Sequence, residues 1–478
     1  MHPLFPLFAV SLPFLAAGCA THPPQQAYDL VITHANVVDV ETGQVQPDQT
    51  LAITDGQIRR LEKTGARPLS AKQTLDAQGK YLIPGLWDMH VHFRGGDSLI
   101  TANRNLLPLY LAHGITTVRD AGGDLTPAVF EWRKQIRAGQ LAGPTIYTSG
   151  PKIDGPKPTW AGSLAVENQA DIDKALDSLQ ALKVDYVKIY ESTISRDAFL
   201  NTVTSAEKRG MLTTGHMPYT ATLREASDRG LDASEHLYYV FKACSSKEDS
   251  ITTAVQRSLG TAKPLGLFAV LPAIYRTFDA DAEASIYRTL VKNKTAVVPT
   301  LYIQKLLAEL PVTDHSQDTL LAYIDPKIQR TYAGRLNGAR RQSAATQAFN
   351  KQLGAKFMTL VPAMQKAGVT LLAGSDSGAS NSYVYPGTSL LGELELMVQA
   401  GLTPAQALQT ATINGARFLK ADQHSGTIRQ GKDADLVLLD QNPLENIRNL
   451  RHINTVITRG RVYTASDLRQ QLQAIKHR

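Results

Sequence analysis

Two histidines, His90 and His92, stand two apart in the run Trp87-Asp88-Met89-His90-Val91-His92-Phe93, just after Ile83-Pro84-Gly85. On a β-strand, residues two apart point the same way, so both imidazoles can grip one ion. Further along the chain, other residues of ligand type close apolar strand-like runs. Lys188 lies in a run over 184–190, His216 at the end of 212–217, His236 near the end of 232–237, and Asp376 follows 369–374 in Gly374-Ser375-Asp376-Ser377. Alternation predicts that Asp88, His90 and His92 share one face and that Met89 and Val91 share the other. It likewise sets Tyr186, Lys188 and Tyr190 on one face, Thr214 one pleat behind His216, and Ser234 one pleat behind His236. An interior lysine needs a chemical reason, because a lone buried charge is costly. Five strands bringing nitrogen and oxygen donors to one rim is what a hydrolytic metal centre requires.

The elements that must hold this set alternate between strand and helix. Strand signals fall at 86–93, 115–120, 144–148, 184–190, 212–217, 232–237, 295–300 and 369–374, with helical patterns between several of them. Phe199, Leu200, Val203 and Ala206, for example, share one helical face. Eight strands in this order predict an α/β fold, a (β/α)8 barrel over 83–423 with functional side chains at the C-terminal strand ends. The segments 245–293 and 303–366 exceed ordinary loop lengths and read as helical cap insertions. Short strand-like runs flank the centre on both sides, and 27–82 with 424–463 are expected to pair into one small β-sandwich; 464–478 reads as a tail.

The chain of 478 residues has 43% hydrophobic and 19% charged residues, so it can bury a large core and is not disordered. Its net charge of +7 comes without a long basic run, which argues against nucleic acid as a partner. Residues 1–18 are mostly apolar, lack Asp, Glu, Lys and Arg, and end in Leu15-Ala16-Ala17-Gly18 before Cys19. They read as a secretory signal. The stretch resembles a bacterial lipoprotein signal, which implies a lipid on Cys19, a tether over 19–26, and an exported protein anchored in the cell envelope. Ala20 after the cysteine is compatible with the outer membrane, facing the periplasm. A cleaved signal with an incidental cysteine is the alternative. With Cys19 lipidated, Cys244 is the one remaining thiol, so no internal disulfide is expected.

Taken together, Ile83-Pro84-Gly85-Leu86-Trp87-Asp88-Met89-His90-Val91-His92, Gly114-Ile115-Thr116-Thr117-Val118-Arg119-Asp120, Gly374-Ser375-Asp376, Gly401-Leu402-Thr403-Pro404 and Ala434-Asp435-Leu436-Val437-Leu438-Leu439 resemble the amidohydrolase superfamily. Within it the chain is similar to the imidazolonepropionase-like and prolidase-like dipeptidases. The resemblance implies two divalent metal ions, with zinc the expected identity. It places His90 and His92 on one ion, His216 and His236 on the other, and Lys188 between them as a carboxylated bridge. Asp376 would bind the first ion and act as the catalytic proton carrier. A small peptide or N-acyl amino acid is the implied substrate.

Candidate substrate contacts are Tyr190 at the rim, Trp160 in the loop 151–165, and Arg94 and Arg119 for a free carboxylate. A packing role remains open for Tyr190, and structural ion pairs for Arg94 and Arg119. A lactonase or other esterase would use the same centre. A mononuclear deaminase of this family usually carries Glu three residues after the fifth-strand histidine, where this chain has Tyr219. A non-catalytic ligand-binding lipoprotein is the alternative of another class, and a homo-oligomer is compatible with everything above.

Overall fold

The computed structural model describes residues 27–477, with Met1 and Pro3. Cys19, the tether and the rest of the expected leader lie outside the described residues. Among the described residues, no helix is long and apolar enough to cross a membrane.

Strands from both ends of the chain join one eight-stranded sheet. Its order is Arg461–Thr464, Ile453–Thr458, Leu436–Leu439, Tyr81–Pro84, Tyr28–Asp39, Gln44–Thr54 and Gln57–Lys63, with Ala71–Asp76 also paired to Tyr28–Asp39. The seam is the antiparallel pair Leu436–Leu439 and Tyr81–Pro84, where Leu438 faces Leu82. Alternation makes this seam apolar on both faces. Leu436 and Leu438 pack with Leu30, Ile32, Leu51 and Leu82, whereas Val437 and Leu439 belong to the large core that includes Ile115 and Val456. Tyr28–Asp39 changes partner along one edge, from Ala71–Asp76 to Tyr81–Pro84, across a register irregularity at His34, where φ is 53°. Such an irregularity bends a strand and lets one sheet enclose its own core.

The centre consists of two parallel sheets. One holds Leu86–His92, Ile115–Asp120, Thr145–Thr148 and Ser377–Gly378; the other holds Ile153–Asp154, Leu164–Ala165, Val187–Ile189, Thr213–Gly215, Ala233–Glu235 and Ala296–Val298. Backbone links connect them on both sides. The Asp185 N–H donates to the Thr148 carbonyl at 3.0 Å, Val297 bridges Leu371 in parallel, and the Met89 N–H donates to the Ala373 carbonyl at 2.9 Å. The eighth strand expected over 369–374 is reduced to that single bridge. The Ala373 N–H turns instead to the carbonyl of Thr410, at the end of helix Pro404–Thr410, which interrupts the ladder.

The two long insertions are largely helical, as their composition led us to expect. The first holds Glu248–Ser258, Leu267–Arg276 and Ala280–Asn293; the second includes Ala333–Arg340 and Ala344–Ala367. The residues expected as a tail include the helix Ala465–Ile475, capped by Thr464, whose Leu472 and Ile475 pack in a cluster with Leu106 and Leu109.

Candidate metal centre

The first pair of imidazoles depends on a break in strand geometry. Leu86–His92 shows a register shift against Ile115–Asp120 between Asp88 and Val91. Met89 joins Trp87, Ala233, Val298 and Leu372 in one cluster, while Val91 and Phe93 join the large core against the helices. The expected common face for Met89 and Val91 is therefore not formed. Asp88 also departs from its expected company, because its carboxylate accepts the Ser375 N–H at 2.9 Å and the Ser375 hydroxyl at 2.5 Å. His90 and His92 still converge, with Nε2 atoms 3.2 Å apart. The shift re-aims these side chains, a role bulges often take beside active sites.

His216 and His236 form the second pair, with Nε2 atoms 3.0 Å apart. His236 has φ 62°, which ends the regular pleat at Glu235. Both Glu235 and His236 consequently reach the centre, and Glu235 occupies the role the alternation assigned to Ser234. The Nδ1 atoms face outward to partners. His90 Nδ1 meets Glu235 Oε2 at 2.6 Å, His236 Nδ1 meets the Thr300 hydroxyl at 2.6 Å, and His216 Nδ1 lies 3.2 Å from Glu191 Oε2. His92 Nδ1 is buried without a partner. Acceptors on Nδ1 fix the tautomer that leaves Nε2 free to bind a metal. Burial holds the His90, His92 and His236 imidazoles below their ordinary pKa, which favours that neutral form.

These distances fit a cation. Two nitrogens about 2.0–2.1 Å from one ion at a tetrahedral angle stand about 3.3 Å apart, close to both observed separations. His90, His236 and Asp376 also place ligand atoms within 4.8 Å of one another. Lys188 is fully buried on Val187–Ile189, and its Nζ has no hydrogen-bond partner; the nearest carboxylate oxygen in an ion pair is Glu235 Oε1 at 3.8 Å. Burial pushes its ammonium down to about 8.

Asp376 sits at φ 60°, a strained position for a residue other than glycine. Its backbone N–H donates to the His90 carbonyl at 2.7 Å, which ties the loop to the histidine strand. Oδ1 lies 2.9 Å from His92 Nε2 and accepts the Asn381 amide at 2.7 Å; Oδ2 lies 3.9 Å from His236 Nε2.

A cleft of about 310 Å³ opens over the histidines and is lined by His92, His216, His236, Asp376, Arg94, Trp160 and Tyr190, among others. The Arg94 guanidinium carbon lies 4.1 Å from the Trp160 ring centre, and its nitrogens donate to the Ala379 carbonyl at 2.7 Å and to Asn381 Oδ1 at 2.9 Å. The Tyr190 ring is 4.6 Å from that of His216. Arg119 is corrected: it is fully buried away from the cleft, donating to Glu235 Oε1 at 2.7 Å and to the Met89 carbonyl at 2.6 Å. Although Arg119 is the penultimate residue of Ile115–Asp120, its guanidinium is held in the interior by Glu235 and the Met89 carbonyl and does not reach the cleft.

Sequence reasoning missed Glu235, Glu191, Asn381 and Arg335. Glu235 is the central acceptor of the interior, taking His90, Arg119 and the Thr214 hydroxyl together. Arg119, Lys188 and His90 outweigh the cost of burial and hold its carboxyl well below the usual range. Its signal was present, a carboxylate directly before a ligand histidine, but strict alternation pointed it outward.

The chain belongs to the amidohydrolase family, whose model covers residues 81–463. Among curated relatives it is 23% identical over 423 residues to the ochratoxinase of Aspergillus niger, spanning 77% of this chain and 72% of that protein. A local stretch of 91 residues is 41% identical to adenine deaminase 2 of Desulfotalea psychrophila, covering 19% of this chain and 14% of that protein. A solved Xaa-Pro dipeptidase with methionine bound in its active site superposes with a TM-score of 0.66 at 20% identity, over 91% of this chain and 99% of that one.

Proposed function

We propose that this protein is a two-metal hydrolase that cleaves the amide bond of a dipeptide or N-acyl amino acid, with its two parallel sheets closing into one eight-stave barrel. The backbone links at Thr148, Val297 and Met89 support the closed barrel. The observation that carries the function is the pairing of four imidazole Nε2 atoms, at 3.2 and 3.0 Å, beside a buried lysine without a partner.

His90, His92 and Asp376 would hold one cation and His216 and His236 the other, with Lys188 shared between them as a carbamate. Carboxylation joins Lys188 Nζ to carbon dioxide; starting from the ammonium, two protons leave, so a cation is replaced by an anionic oxygen donor. Divalent ions such as zinc supply Lewis acidity and a nucleophile at neutral pH when bound. Asp376 accepts the proton of the attacking water and delivers it to the departing amine nitrogen, while Asn381 holds its Oδ1 in place. Glu235, Thr300 and Glu191 keep three of the histidines in the ligating tautomer. Tyr190 and Arg94 line the cleft where a substrate carbonyl or carboxylate would be oriented.

The amide reading is favoured over the deaminase one. The adenine deaminases cover 19–40% of this chain against 77% for the ochratoxinase, Tyr219 stands where the family resemblance places a deaminase's proton-shuttling Glu, and Lys188 has no evident use in a one-metal site. The leader and Cys19 support an exported protein anchored by lipid in the bacterial envelope. Replacement of Cys19 by Ser should abolish incorporation of labelled palmitate; retained label would remove the anchor from the reading.

The deciding experiment strips the full chain with a chelator, restores zinc, and measures turnover of dipeptides, N-acyl amino acids, lactones and adenine, with Asp376→Asn as control. Zinc-dependent release of an amino acid, lost in the variant, is the expected result. Hydrolysis confined to lactones, ammonia release from adenine, or ligand binding without any turnover would each replace the proposal.

A further inference from the structure

The cleft over the metal centre does not end there. It continues into a second space of about 320 Å³ between the cap helices, and both spaces are lined by Tyr238, Phe268, Leu307 and Arg335. Leu353, from the long helix Ala344–Ala367, adds to the second space. Phe268 leaves 73% of its surface exposed, its ring edge-on to Tyr238 with centroids 6.5 Å apart. Gln304, Gln342 and Asn350 also line this space, but apolar side chains predominate, and an exposed aromatic beside such a chamber marks a place where apolar ligand surface is buried.

The junction also holds a charge with an unmet need. Arg335, on helix Ala333–Arg340, lines both spaces, and its Nη1 is buried without a hydrogen-bond partner. A buried N–H donor left unsatisfied is costly, and an anionic oxygen arriving at the junction would satisfy it. Arg94 lines the same cleft on the metal side and is likewise buried, which adds to the positive field there.

We propose that the cap chamber is the subsite for the side chain of the released amino acid, which is large and apolar, and that Arg335 receives its carboxylate. This rests on the amide-hydrolase reading. A carboxylate at Arg335 sets the adjacent side chain at the entrance of the chamber and leaves the acyl side toward the histidines. Glycine and the acidic amino acids gain nothing from such a chamber.

Two measurements on the zinc-loaded full chain test this. Titration calorimetry should show L-phenylalanine binding at least about tenfold more tightly than glycine, as burial of a side chain of that size implies. Turnover should show the same preference in kcat/KM for N-acetyl-phenylalanine over N-acetyl-glycine. Phe268→Ser, at an exposed position, should collapse both ratios. Arg335→Gln should weaken L-phenylalanine by at least about fivefold and leave L-phenylalaninamide unaffected, in line with loss of one charge-assisted contact. Equal affinity for phenylalanine and glycine, or an equal effect of Arg335→Gln on the acid and the amide, would overturn the assignment. A binding preference without hydrolysis of either amide would retain the subsite and instead sink the hydrolase reading.

Discussion

Breaking the Glu235–Arg119 pair is the sharpest test of how the interior supports the metal centre. Glu235 Oε1 lies 2.7 Å from Arg119 Nη2, both side chains are fully buried, and Glu235 Oε2 holds His90 Nδ1 at 2.6 Å. At an effective dielectric of about 20, unit charges at that separation attract by about 6 kcal/mol, most of which desolvation takes back. Removing one partner is different, because it strands the other charge. Glu235→Gln leaves the Arg119 charge without its carboxylate and keeps one acceptor oxygen where there were two, and Arg119→Met leaves Glu235 to His90, Thr214 and Lys188. Each single change should cost about 3–5 kcal/mol. The double variant should cost less than their sum by about 1–3 kcal/mol, since neither charge is then stranded. Urea unfolding of chelator-treated full chain, followed by tryptophan fluorescence, measures the cycle without metal. The zinc affinity of the same variants gives a second readout: Glu235→Gln should lose about 10–100-fold, because His90 loses the acceptor that fixes its tautomer. Costs that add to within about 0.5 kcal/mol, together with unchanged zinc affinity, would refute the reasoning.

Asp376→Asn should leave a folded protein with turnover at least about a hundredfold lower, read by amino-acid release, since the carboxylate that moves the proton is gone; near-normal turnover would reassign the proton carrier. Lys188→Ala should lower bound zinc, measured by elemental analysis, and short carboxylic acids should restore it; two zincs retained without them would exclude the bridge. Glu393 is buried, accepts the Tyr302 N–H at 2.7 Å, and is pushed up to about 8 by burial. Its unfolded carboxyl ionises near pH ~4.3, so between that pH and about 8 the native state holds the extra proton. Stability contributed by Glu393 therefore falls as pH rises through this window, on the order of a few kcal/mol, and Glu393→Gln should flatten the slope of melting temperature from pH 5 to 8. An unchanged slope in the variant would place the titration elsewhere.

The ligand set was legible because it obeys simple periodicities. His90 and His92 are two apart, Lys188 sits between apolar neighbours, and His216, His236 and Asp376 each close an apolar run. The family model agrees with the motifs that carried the resemblance. What escaped lies where periodicity fails. The register shift before Val91 separates Met89 from its expected face, and φ 62° at His236 brings Glu235 inward. Arg119 was a candidate for a free carboxylate because its type suits one, with an ion-paired role left open. Its partner Glu235, brought inward by the left-handed His236 on another strand, is what the residue type does not encode. Arg335 was illegible for another reason: the helical pattern of the cap shows an apolar face but not which chamber that face will close.

These failures of periodicity share a location. A regular strand offers one inward side chain every second residue, so two consecutive residues such as Glu235 and His236 cannot both face the centre from it. The register shift in Leu86–His92 and the left-handed residues His236, Thr300 and Asp376 each add a side chain out of turn. Each such residue costs on the order of 1–3 kcal/mol, and the surrounding hydrogen bonds hold it there: Asp376 N–H to the His90 carbonyl, His236 N–H to the Val298 carbonyl at 2.9 Å, and Thr300 to His236. The strain is thus placed in the residues that ligate or orient ligands. It follows that Thr300→Gly, which relieves the backbone at φ 49° but removes the hydroxyl on His236 Nδ1, should leave stability close to unchanged while weakening zinc binding. Unaltered zinc affinity in that variant would mean that the backbone, without the hydroxyl, is enough to aim His236.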